Sequence, residues 1–343
     1  MRVQTTDSGP HEVPPAPKRA AVVYNPIKTD VAKLRASVTS AAEAAGWAES
    51  LWYETSIEDP GQRATRRALR HDVDLVLAAG GDGTVRAVAE ALRGGEVALG
   101  VLPVGTGNLL ARNLQLPLSS LDDAIEIAFT GDSRAIDLGV ASVTFADDSI
   151  EDHVFLVMAG LGLDAQMIAA TRPDLKKQVG WLAYVDAGMR AIPKAEPFRI
   201  RYNLGTRSEH AATVSTILIA NCGLLPGNIQ FLPDAIIDDG ILDIAVLQPK
   251  GVVGWLKIWR RVTWQNGVLR RSAVGRRIIE LTEADDERTM TTLVGSDIRI
   301  VADKPQEFEL DGDEFGLVRS VFLRADRRAL LVRVPAGPPA VTG

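Results

Sequence analysis

Residues 75–92 read LVLAAGGDGTVRAVAEAL, and the fold follows from that order. Val73 to Ala79 is apolar enough to be a strand covered on both faces. Val85, Val88, Ala89 and Leu92 recur at helical spacing, so Val85 to Leu92 reads as a helix, stopped by Gly94-Gly95. Between them lie Gly80, Gly81, Asp82, Gly83 and Thr84. Glycines let a backbone approach a ligand without Cβ clashes. Thr84 is placed to cap the helix, whose free N–H groups and positive dipole end suit a phosphate. Asp82 does not suit bound phosphates unless a divalent cation or a water lies between.

The same pattern recurs downstream. Val97 to Leu102 is a strand, Gly105, Thr106, Gly107 and Asn108 form a turn, and a helix starts at Leu109. In an open α/β sheet both turns fall at the carboxyl ends of neighbouring strands, where ligands bind. Upstream, AAVVY (20–24) is a short buried strand ending at Asn25-Pro26, Val31 to Ala45 an Ala-rich helix, and Gly61 to Arg70 a helix with a basic face. Strand, turn and helix in alternation define an α/β domain over residues 18–137.

After Asp137 the texture changes to short apolar strands separated by turn residues: HVFLVMAG, FRIRYNL, ATVSTILIAN, LDIAVLQ, DIRIVAD, QEFELDGD and SVFLRA. A β-rich second domain is expected over 138–328, with ALLVRV (329–334) returning to the first. Residues 1–17 and 335–343 read as disordered tails. The architecture expected is therefore two domains, α/β and then β-rich and sandwich-like.

Of the 343 residues, 46 % are hydrophobic and 24 % charged, as in folded soluble proteins. The net charge of −6 gives no global attraction to nucleic acid or an anionic membrane. One cysteine, Cys222, excludes a disulfide framework and a cysteine-rich zinc site. The longest uncharged run, Ala211 to Pro233, carries Asn221, Pro226, Gly227, Asn228 and Gln230, too polar and helix-breaking to span a bilayer. A cytoplasmic protein with peripheral membrane contact is expected.

Neither turn is a Walker A loop, since no Lys-Ser or Lys-Thr follows, and neither is G-x-G-x-x-G. AGLGLDA (159–165) reads as a substrate-side loop. Acids gather beside glycines: Asp137 before Leu138-Gly139, Asp238-Asp239-Gly240 before the strand Ile241 to Leu247, and Asp311-Gly312-Asp313-Glu314. Such acids commonly just make Asx turns. Phosphoryl transfer, however, needs carboxylates for Mg²⁺ and a base for the hydroxyl proton, and two phosphate turns are already present.

In order and spacing these segments resemble the diacylglycerol kinase catalytic-domain family, which includes bacterial diacylglycerol kinases and sphingosine kinases. The resemblance runs from about Ala20 to Arg333 through Asn25-Pro26, Gly80 to Thr84, Pro103 to Asn108, Asp239 to Asp243 and Asp311 to Asp313. It implies a two-domain lipid kinase with ATP in the cleft. Asn25, Pro26, Thr55, Gly80 to Thr84 and Gly105 to Asn108 would line the ATP site. Asp82 would hold a water on catalytic Mg²⁺, and Asp137 would help position that ion. Asp239, with the carbonyls of Ile236 and Ile241, would hold a structural Mg²⁺. Asp311 would take the acceptor's proton, with Asp313 as its rival. The chain departs from the family at Ile27-Lys28, where Ser-Gly commonly follows, at Leu109 in place of Asp, and at Asp313 in place of Glu.

Gly251 to Ile279 holds Lys257, Arg260, Arg261 and four further arginines without an acid, and three of the six tryptophans, Trp255, Trp259 and Trp264. Tryptophan beside cations suits a bilayer interface, though a Trp-anchored core helix with a solvated basic side fits equally. A lipid kinase is the leading reading. A soluble-substrate kinase of the NAD-kinase type and a non-catalytic nucleotide-binding regulator are the alternatives, and a homodimer is left open.

Overall fold

The buried run Leu75–Gly80 forms β3, with every residue shielded from solvent. It pairs in parallel with β1 (Arg19–Tyr24) on one side and β4 (Ala98–Pro103) on the other, and β1 pairs with β2 (Ala48–Glu54) at the edge. This computed structural model describes residues 16–162, 197–225, 229–249 and 289–337. Most of both expected tails, the end of AGLGLDA, and the Gly251–Ile279 stretch with Trp255, Lys257, Trp259, Arg260 and Arg261 lie outside the described residues.

Helices cover both faces of the parallel strands, as the continuous apolar runs require. Helix α1 (Val31–Ala44) packs through Leu34, Val38 and Ala42, and α5 (Leu121–Thr130) through Ala124, Ile125, Ala128 and Phe129, against Val22, Leu75 and Leu77. The opposite face takes α2 (Gln62–Ala68) and α3 (Asp82–Leu92), whose Ala64, Val85, Val88 and Leu92 meet Val23, Val76 and Ala78. A five-residue helix, α4 (Leu109–Asn113), follows β4.

Two of these elements went unread in the sequence. Strand β2 is an edge strand that is mostly half-buried, so AESLWYE lacks the apolar run that marks β3. Helix α5 did leave a signal: Ser120 caps it by accepting a bond from Asp123 N. Helix α3 starts three residues earlier than its apolar period suggests.

The second half is antiparallel. Strands β5 (Asp132–Phe145) and β6 (Ile150–Phe155) pair, as do β8 (Phe198–Leu204) and β9 (His210–Val214). Next, β7 (Met158–Leu161), β10 (Thr216–Ala220), β13 (Leu242–Leu247) and β14 (Met290–Gly295) run edge to edge. A short pair, β11 (Leu224–Leu225) and β12 (Ile229–Gln230), stands apart. HVFLVMAG thus splits into β6 and β7, and ATVSTILIAN into β9 and β10. DIRIVAD and QEFEL fuse into β15 (Asp297–Leu310), while SVFLRA and ALLVRV fuse into β16 (Asp313–Val334).

Strand β16 joins the halves. It pairs with β15 and with β5 along most of its length, then runs parallel to β4 at Val332↔Leu99. The β5–β16 register shifts between Asp326 and Leu330, where Arg328 has φ 49°. Asp137 stands opposite that bulge.

Candidate active site

The two glycine turns lie against each other at the carboxyl ends of β3 and β4. A Cβ on Gly105 would stand 2.8 Å from Gly81 Cα, so the turns touch backbone to backbone. A Cβ on Gly80 would meet the Thr84 side chain at 2.5 Å. Thr84 is therefore buried against the turn within α3, and no side chain caps that helix. This corrects the expectation that Thr84 is the cap. The α3 N-terminus is left open to an anion.

Asp82, the first residue of α3, carries the link between the turns. Its Oδ2 accepts from Asn108 N at 3.1 Å and its Oδ1 from Leu109 N at 2.6 Å, capping α4. Burial pushes its carboxyl above the ordinary aspartate range, opposed by the Leu109 and Asn108 amides. Asn108, at φ 48°, folds its own turn: its Oδ1 accepts from Gly105 N and its Nδ2 donates to Gly105 O. Thr106 and Gly107 stand at the rim, Thr106 exposed. A Cβ on Gly107 would strike Asp82 Oδ2.

Asn25 sits at the end of β1 beside the first turn, its N–H donating to Ala79 O at 2.9 Å. Its Oδ1 accepts from Ile27 N and Lys28 N, an Asx turn that bends the loop after Pro26. That bend carries Lys28 back over the first glycine turn. Its Nζ lies 2.8 Å from the point where a Cβ on Gly81 would be. Thr55 is buried at the end of β2, its N–H on Tyr24 O.

Asp311 is 6 % exposed at φ 51°. Its Oδ1 accepts from Val157 N at 2.8 Å and Met158 N at 3.0 Å, and its Oδ2 from Leu156 N at 2.8 Å. These amides come from the break between β6 and β7, which explains why HVFLVMAG is not one strand. Burial pushes the carboxyl above the usual aspartate range, with Arg86 and the three amides pulling the other way. Asp313 is half exposed and bound to Arg86 at 2.6 Å. Arg86 also donates to Leu310 O at 3.1 Å. A Cβ on Gly83 would meet Asp313 Oδ2 at 2.7 Å, so the Asp311–Asp313 turn abuts the start of α3.

Arg86 and Lys28 were not singled out in the sequence as ligand-facing. Arg86 sits one turn into α3 from Asp82, a spacing that puts both near the same helix end, but its partner lies 227 residues away.

The expected metal residues meet at one turn: Asp137 bonds to the Ile237–Gly240 segment that carries Asp239. Asp137 is wholly buried: one carboxylate oxygen accepts from Gly240 N and the other from Arg328 N at 2.7 Å. It staples the β16 bulge to the Asp238–Gly240 turn. Asp239 Oδ1 accepts from Ile241 N at 2.9 Å, while Ile236 and Ile241 are exposed. Burial, then Asp239 and Asp234, push Asp243 up to about 6. Among the described residues, no three acidic, His or Cys side chains converge on one ion site.

A parallel α/β unit with two touching glycine turns thus meets an antiparallel domain whose Asp311–Asp313 turn abuts the start of α3. The chain belongs to the diacylglycerol kinase catalytic-domain family: residues 19–141 match the diacylglycerol kinase catalytic domain, and 157–325 the YegS C-terminal NAD kinase beta sandwich-like domain. It is 26 % identical over 319 residues to the diacylglycerol kinase of Bacillus subtilis, covering 92 % of this chain and 96 % of that one. The diacylglycerol kinase of Staphylococcus epidermidis is 30 % identical over 237 residues, 67 % of this chain and 71 % of that one. The crystal structure of a diacylglycerol kinase from Bacillus anthracis superimposes with a TM-score of 0.64 at 19 % identity, covering 95 % of this chain and 98 % of that one. The two-domain fold expected from the sequence is the one found. Among the described residues no helix is long and apolar enough to cross a membrane.

Proposed function

We propose that the protein transfers the γ-phosphoryl group of ATP to the hydroxyl of a lipid of the diacylglycerol type. The observation that carries this reading is Arg86: bonded to Asp313 and Leu310 O from the first turns of α3, it holds the acidic turn of the second domain against the phosphate turn of the first.

The phosphates lie along the backbone of the two touching glycine turns, at the open N-terminus of α3, with Lys28 beside Gly81 neutralising their charge. Asn25 and Thr55 border the nucleoside side. Asp311 accepts the acceptor's proton. Three amide bonds fix its carboxylate, and Oδ2, which takes one of them, keeps a lone pair for a hydroxyl. Asp313 holds Arg86, so Asp311 is the base of the pair. The hydroxyl oxygen bonds to the γ-phosphorus as the β–γ bridging bond breaks and ADP leaves. A bound Mg²⁺ would offset charge on the transferring group, reached by Asp82 through a water. Asp239 with the carbonyls of Ile236 and Ile241 would hold a second ion of structural use. Trp255, Trp259, Lys257, Arg260 and Arg261 would bring the enzyme to the bilayer surface.

Transfer from labelled ATP, with Mg²⁺, into lipid presented as mixed micelles tests the reading. Label should enter the organic phase, and D311N should lower the rate by about 10²–10⁴-fold while ATP still binds. Label confined to a soluble acceptor such as NAD, or near-normal turnover by D311N, would overturn it.

A further inference from the structure

The helix with a basic face expected over Gly61 to Arg70 is present, and phosphoryl transfer leaves that face unused. Arg63, Arg66 and Arg67 of α2 and Arg70 of the 3₁₀ turn that follows stand at i, i+3, i+4 and i+7, one row of a helical surface roughly 10 Å long. Ala64 and Ala68 on the opposite side pack into the core under the sheet, so the arginines face outward, and all four are exposed. They line a cavity of about 570 Å³ between the helix and the carboxyl end of β2. No residue of either glycine turn lines it.

The charges in this row are unmatched. Arg63 donates to the carbonyl oxygen of Glu58 at 2.7 Å, and Arg67 lies over the Tyr53 ring at 5.5 Å. None of the four forms an ion pair with a described carboxylate, whereas Arg86, Arg93 and Arg134 each do. Two acids share the lining with the four arginines, and both are engaged elsewhere. Glu54 accepts from the Tyr24 hydroxyl at 3.1 Å, and Asp59 accepts from the amides of Gly61, Arg63 and Ala64. Like charges three and four residues apart on a helix repel. The helix dipole favours Arg66 and Arg67 in the last turn but opposes Arg63 in the first. An anion in the cavity relieves the repulsion along the whole row.

We propose that this cavity is a second anion site, taking a phosphate monoester carried on a lipid headgroup or on a soluble metabolite. A guanidinium fork meets phosphate oxygens two at a time, and a monoester offers three. Arg66 and Arg70, four residues apart with no existing contact to give up, are the pair that grips it. The site is separate from the transfer site and does not rest on the lipid-kinase reading.

Binding would be measured on the full chain loaded with ADP, with no turnover. Wild type and R66A/R70A would be compared with a control, R207A/R299A, which removes the same charge from exposed positions of the second domain. Each would be titrated with glycerol phosphate by calorimetry, and sedimented with phosphatidylcholine vesicles containing or lacking phosphatidate. Wild type and control should bind at least one phosphate probe alike, and R66A/R70A should bind it about tenfold more weakly, the scale of one charge-assisted hydrogen bond. Binding of glycerol phosphate identifies a soluble ligand, and binding confined to phosphatidate vesicles identifies a headgroup. Equal binding by all three proteins, a loss as large in the control, or no binding of either probe overturns the proposal. A failed lipid-kinase assay leaves all of these readouts standing.

Discussion

Lys28 and Glu309 illustrate charges whose use depends on what the fold sets opposite them. Lys28 has no carboxylate partner among the described side chains, and its ammonium lies over a glycine of the phosphate turn. K28A is expected to raise the KM for ATP by about tenfold, the scale of one charge-assisted contact, with kcat changed less. An unchanged KM would show that the ammonium does not reach the phosphates. Glu309 makes a pH prediction. Its carboxyl is raised from the ordinary 4.5 to about 7, so its contribution to stability is present below the unfolded value and is lost as pH rises through 7. At pH 8 the buried charge costs at most ~3 kcal/mol. E309Q should therefore melt higher than wild type at pH 8, and the two should coincide near pH 4. Melts that differ equally at both pH values would show that Glu309 does not titrate in this range.

Among the elements, the two glycine turns were the most legible in the sequence. A buried run, a glycine cluster and an amphipathic run can only be a strand, a turn and a helix. The reading of Asp82 was less complete, because its bonds to Asn108 and Leu109 join two turns 26 residues apart. Asp137 shows the opposite limit. It caps the bulge at Arg328, a position set by a strand nearly two hundred residues later, which no local pattern signals. The contact between the turns is itself testable. G105A forces a Cβ into Gly81, where the obstructing atom is backbone. It should cost about 1–3 kcal/mol in stability and weaken ATP binding measured directly, without a lipid. Retained affinity would mean that the turns can separate without harm.

At the scale of the whole molecule, the two domains share one long β-ribbon, β5 with β16. The sequence hinted at this, since ALLVRV read as a strand returning to the first domain. What it could not show is that the returning strand is the far end of the one that begins at Asp313, for Arg327 and Arg328 look like a break and prove to be a bulge. Val332 is wholly buried between β5 and β4. V332P removes a ladder donor in a central strand, and should cost about 3 kcal/mol or more and lower soluble yield. Denaturation coincident with wild type would place that strand outside the stabilising core.

The ribbon also bears on how the chain is made. Leu99 must wait for Val332, more than two hundred positions downstream, before the nucleotide sheet has its neighbour. During synthesis, which proceeds from the N-terminus, β4 stands as an unpaired edge while the whole antiparallel half emerges. The first domain is therefore the last to close.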